Sequence, residues 1–138
     1  MKQIVPVILP IIQDGGQAEM TVTGNSMKPL LLDRVSSVKL SKPDNLKKGD
    51  IVLFLRDEDC YVLHRIVAVH DDVYDIVGDN QTSVDKNIPK ANIIAKATAY
   101  NRLGKGWKET DALYRAILPV IKKVKYFGRK IKRKLHKV

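Results

Sequence analysis

A serine in a glycine–asparagine turn is the first residue that asks for chemistry. Gly24-Asn25-Ser26-Met27-Lys28-Pro29 follows a short β-like stretch at residues 19–23. It is either an ordinary turn or a device that presents Ser26. A serine hydroxyl is a poor nucleophile until a neighbouring base takes its proton. Three histidines are available: His64, His70 and His136. His136 lies in a basic C-terminal segment, and His70 stands beside Asp71 and Asp72, where a solvated histidine is the plain reading. His64 sits inside Tyr61-Val-Leu-His-Arg-Ile-Val-Ala-Val69, an otherwise apolar run. A polar ring there needs a partner or a task, because buried polar groups are hydrogen-bonded. Taken alone it reads as a structural histidine. The segment 75–87 then offers Gly78, a strand breaker free to turn, followed by the acceptors Asp79, Asn80 and Asp85. Singly, Gly-Asp-Asn is a turn, and a serine, a histidine and an aspartate occur in most proteins.

The elements that must position these residues are mainly β. Val-, Ile-, Leu- and Tyr-rich runs at 19–23, 35–40, 50–56, 60–70, 73–77 and 92–100 are separated by turn signals such as Lys-Pro-Asp-Asn and Gly-Asp-Asn. Short strands so spaced predict a compact antiparallel β fold. Residues 4–16 read as a short, proline-containing helix or an extended arm, ended by Gly15-Gly16. Residues 101–107 read as a linker. Beyond it, Leu113, Ile117, Val120, Val124, Phe127, Ile131, Leu135 and Val138 recur at the helical period. The organisation expected is an N-terminal arm or helix (1–18), a β domain (19–108) and a basic amphipathic helical tail (109–138).

Charge separates the last part from the rest. Residues 1–111 carry 15 acidic and 15 basic residues, so the whole net charge of +10 belongs to residues 112–138. A neutral body with a basic tail suggests a working domain and a separate docking device. The apolar stripe and acid-free basic face match either packing on the body or an anionic membrane surface. Nucleic acid is the poorer match, since a phosphate-tracking tail has no use for an apolar stripe. The longest apolar run, residues 4–12, contains two prolines and is far short of the roughly 20 residues a membrane span needs. The single Cys60 allows no internal disulfide, which suits a reducing compartment, and it reads as a half-buried strand residue. The expected location is cytoplasmic, or peripheral on the cytoplasmic membrane face. The histidines form no ligand cluster, so neither metal nor cofactor is implied.

Order and context then add meaning to the candidate residues. "GNSMKP", "KKGDIVLF", "YVLHRIV" and "VGDNQTSVD" succeed one another over residues 19–100. Block for block they resemble the signal peptidase I family and its relatives, the LexA-like self-cleaving repressors. The resemblance implies a coiled β core and a serine endopeptidase acting on a peptide or precursor protein, with small residues near the cut. It implies Ser26 as nucleophile, Met27 and Pro29 as its flanking turn, and His64, followed by Arg65, in the place of the general base. Asp85 falls where histidine-type members carry a third catalytic residue, with Asp79 as second choice for orienting His64. By the same resemblance Gly78, Asp79 and Asn80 are expected to close the site, and the Ser26 backbone N–H is expected to face the developing oxyanion, with Asn25 or another amide as second donor. The chain departs from that family in showing no N-terminal membrane helix, no DNA-binding domain and no Ala-Gly bond to cut. A rival reading is a non-catalytic peptide-binding or membrane-docking module of the same fold. An unperturbed imidazole titrates near about 6.5, so activity through neutral His64 is expected to fall below about pH 6–7.

Overall fold

The computed structural model describes residues 4–57 and 60–110. Among these residues lie one helix, α1 (Val5–Gln13), and eight strands: β1 (Ala18–Thr21), β2 (Ser37–Ser41), β3 (Ile51–Asp57), β4 (Cys60–His70), β5 (Val73–Val77), β6 (Asp85–Pro89), β7 (Ile93–Asn101) and β8 (Lys108–Glu109). A 3₁₀ turn, Lys90–Asn92, links β6 to β7. All strands belong to one antiparallel sheet in the order β1-β2-β7-β3-β4-β5-β6, with β8 added to β7. The mainly β reading therefore holds, with a short N-terminal helix beside the sheet. The proposed helical tail lies outside the described residues.

The central strands explain their own sequence. β3 and β4 are buried on both faces, so Ile51-Val-Leu-Phe54 and Val62–Ile66 are continuous apolar runs broken only by His64 and Arg65. Period-2 geometry sends alternate residues to opposite faces. Ile51, Leu53 and Leu63 enter one core with Met20, Val38, Leu40 and Ala97. Val52, Phe54, Val62 and Ile66 enter a second core with Tyr74, Ile76, Ile88 and Ile93. His64 pairs with Val52 across β3 and β4, on the side of the second core.

α1 closes the first core with Val5, Ile8 and Ile12, each contributing roughly 1.5–3 kcal/mol by leaving water. Pro6 suits the first turn, where its missing N–H would have no partner. At the other end Gly15, at φ 88°, allows the reversal. The Gly16 N–H then reaches Ile11 O and the Gly15 N–H reaches Ile12 O, a closure that satisfies two terminal carbonyls. The helix alternative for residues 4–16 is the one adopted.

Two strands are absent from the sequence expectation. β6 begins at Asp85 and pairs with β5. Its Asp-Lys-Asn-Ile-Pro sequence has one buried residue, Ile88, and no alternating pattern to find. β8 is only two residues long and adds to the end of β7.

Candidate functional site

The turn that carries Ser26 is anchored by its apolar half. Met27 and Leu31 are fully buried and Leu30 nearly so. The Leu31 N–H bonds to Met27 O, and the Gly24 N–H bonds to Asp33 Oδ1. These contacts leave Ser26 partly exposed at the surface of the turn. Met27, expected as part of the flanking turn, is a plug driven into the first core. Pro29 is exposed, and its carbonyl accepts from Arg102 Nε at 2.9 Å.

The Gly-Asp-Asn segment after β5 clamps this turn. The Asn80 N–H donates to Ser26 O at 2.8 Å, and Asn80 Nδ2 donates to Asn25 O at 3.2 Å. Gly78 is where the parts meet. A Cβ there would stand 2.6 Å from Ser26 O, 3.1 Å from His64 Cδ2 and 3.1 Å from Gln81 Oε1. Only glycine allows the Ser26 carbonyl and the His64 ring to pack this close to one loop. The Ser26 N–H has no acceptor among the described residues.

Asp79 makes no hydrogen bond to His64. It takes a two-pronged bond from Arg65, Nε to Oδ1 at 2.8 Å and Nη2 to Oδ2 at 2.9 Å. Arg65 Nη1 also donates to Gly49 O at 2.8 Å. Both side chains of the pair are almost completely buried, where removing one partner costs about 3–5 kcal/mol. Asp50 follows Gly49, accepts from the Lys47 N–H and lies 3.5 Å from Lys96 Nζ. One network therefore joins the Gly-Asp turn before β3, the Arg65 of β4, the Gly-Asp-Asn loop and the Ser26 turn. The four sequence blocks converge in space.

His64 is buried in this junction, with its ring 6.2 Å from that of Phe54. Its Nδ1 is buried and has no hydrogen-bond partner among the described residues. Burial, and then the charge of Arg56, hold its pKa down from 6.5 to about 4, while Asp85 and Asp79 pull weakly the other way. An imidazole so placed stays neutral at neutral pH. Any acid limb that it governs belongs near pH 4, not at the pH 6–7 expected of an unperturbed ring.

The third member of the expected triad is engaged elsewhere. Asp85 Oδ2 accepts from Arg56 Nη2 at 2.9 Å and from Nε at 3.2 Å. It acts on His64 through its field but makes no hydrogen bond to it. The structure thus brings the Ser26 carbonyl, the His64 ring and Asn80 together around Gly78, with no hydrogen bond between Ser26 and His64, and it engages Asp79 with Arg65 and Asp85 with Arg56. Sequence reasoning missed Arg56 and Gln81. Arg56 reads there as the polar end of a strand, and its pairing with Asp85 depends on β6. His70 is a solvated histidine as expected, with its Nε2 2.9 Å from Asp75 Oδ2, whereas Cys60 is exposed rather than half-buried.

Among the described residues no group of three or more His, Cys, Asp or Glu side chains is placed to hold a metal ion. No helix among them is long and apolar enough to cross a membrane. Compared with known proteins, the chain matches no family model, no curated protein and no solved structure.

Proposed function

We propose that the protein is a serine endopeptidase of the Ser/His type, acting on a peptide or precursor protein. The observation that carries this reading is the convergence of a partly exposed Ser26 turn and a buried, neutral His64 on Gly78. Ser26 Oγ attacks the peptide carbonyl while His64 takes its proton. The tetrahedral oxyanion receives the Ser26 N–H. His64 then returns the proton to the leaving amine, leaving an acyl-enzyme. Water, deprotonated by His64, cleaves the ester and restores Ser26. Asp85 and Asp79 favour the imidazolium as it forms, because both raise the His64 pKa through their charge. The arrangement is a dyad steadied by nearby carboxylates. The basic residues 112–138 hold the domain to an anionic surface on the cytoplasmic side, a role supported by sequence alone.

A fluorophosphonate probe on the full-length protein tests the reading. Adduct formation at Ser26, lost in Ser26→Ala with an unchanged thermal melt, is the expected outcome. An unreactive Ser26 overturns it. The engagement of Asp85 by Arg56 and the unpartnered His64 Nδ1 favour a second reading, a peptide-binding module without cleavage. That reading predicts peptide binding by a protein the probe does not label.

A further inference from the structure

The Ser26 turn has a second side. Pro29 and Leu30, which end the turn, form one wall of a groove of about 700 Å³, and Tyr100, Leu103 and Trp107 form much of the rest. This is the size range of pockets that bind small ligands. Leu103 and Trp107 are among the few large apolar side chains left exposed. Trp107 is held in place from behind, with Lys39 Nζ 4.4 Å from its ring centroid. Arg102 ties the groove to the turn, since its Nε donates to Pro29 O and its carbonyl accepts from Ser36 Oγ at 2.7 Å.

Among the described residues, the charged side chains that line this apolar floor, Arg102, Lys105 and Lys108, are all basic. We infer that the groove is a binding subsite for a peptide segment in which bulky aliphatic residues are flanked by acidic ones. This deepens the peptidase proposal and rests on it for the choice of a peptide as ligand. Aliphatic side chains fit Leu103, Pro29 and the free face of Trp107, and carboxylates answer the three cations. A nucleic acid is a poorer fit, since one face of the only tryptophan is already covered by Lys39 and the remaining floor is largely aliphatic.

Trp107 is the sole tryptophan, so its emission reports on the groove alone. The experiment titrates the capped peptide Glu-Glu-Leu-Leu-Glu-Glu into the full-length protein carrying Ser26→Ala, so that bound peptide is not consumed. A saturable shift of Trp107 emission is expected. It should vanish when lysines replace the glutamates, and affinity should fall by at least about tenfold in the double variant Lys105→Glu, Lys108→Glu. Equal responses to the acidic and basic peptides, no response, or a response only to an oligonucleotide or to anionic vesicles overturns the inference. The comparison of peptides needs no groove variant, so it survives a folding failure of the double variant. Fluorophosphonate labelling of the unsubstituted protein is measured beside it. A labelled Ser26 with a silent Trp107 overturns the groove and spares the peptidase. A responding Trp107 with an unlabelled Ser26 does the reverse.

Discussion

Replacing His64 by leucine should make the protein more resistant to acid while removing its reactivity. In the folded chain the His64 pKa is held at about 4, against 6.5 for the ordinary ring. Between these values the unfolded chain binds a proton at His64 and the folded chain does not. Stability therefore rises with pH through this window, and acid favours unfolding. At about pH 5 the penalty is roughly 2 kcal/mol; near pH 7.5 it is close to zero, and below about pH 4 it levels off near 3 kcal/mol. The His64→Leu protein has no such titration. It also loses the buried, unpartnered Nδ1, whose desolvation costs about 1–3 kcal/mol at either pH. Leucine is close in size to histidine, so packing against Phe54 should survive. Urea unfolding of both proteins at about pH 5 and pH 7.5 measures the effect, and the difference between them should grow by roughly 2 kcal/mol in favour of the variant at the lower pH. Carboxylates titrate in both proteins and cancel in the comparison. Parallel pH dependences for the two proteins would show that His64 is not held neutral by burial, and the assignment of a neutral base would fail with it. A buried histidine whose removal stabilises the fold is one retained for another reason than the fold.

Two further outcomes follow from the same geometry. Gly78→Ala should cost about 1–3 kcal/mol by overpacking, because the added methyl meets Ser26 O at 2.6 Å, and it should depress probe labelling of Ser26 far more than stability; labelling within about twofold of the parent would refute the packing argument. Gly24→Ala is the control, since Gly24 has open space around it and only its φ of 85° opposes a side chain. Arg56→Gln should raise the His64 pKa by removing the positive charge beside it, and should release Asp85 from its two bonds. An NMR titration of His64 that does not move upward, or an acid limb of kcat/KM that stays near pH 4, would refute that role for Arg56.

Much of this protein was determined by local pattern. Short β-branched runs between turn signals specified an antiparallel sheet, and a strand was expected at 50–56, where β3 runs from Ile51 to Asp57. The Gly15-Gly16 stop marked the end of α1. These features are legible because backbone geometry and burial act on each residue type within a few positions of itself. The blocks around Ser26, His64 and Gly78 stood out only by family resemblance, and the Ser26 carbonyl and the His64 ring do meet at Gly78. The tertiary structure decided the rest. β6 carries one buried residue, Ile88, so its pairing with β5 leaves no periodic trace. That pairing sets where Asp85 stands, and it brings Asp85 to Arg56, 29 positions away in the chain, instead of to His64. Asp79 likewise chose Arg65, because a guanidinium fork meets both carboxylate oxygens at once. The depressed pKa of His64 belongs to the same class. Burial and neighbouring charge depend on which distant segments close over a side chain, and a one-dimensional pattern does not encode the distance between two charges.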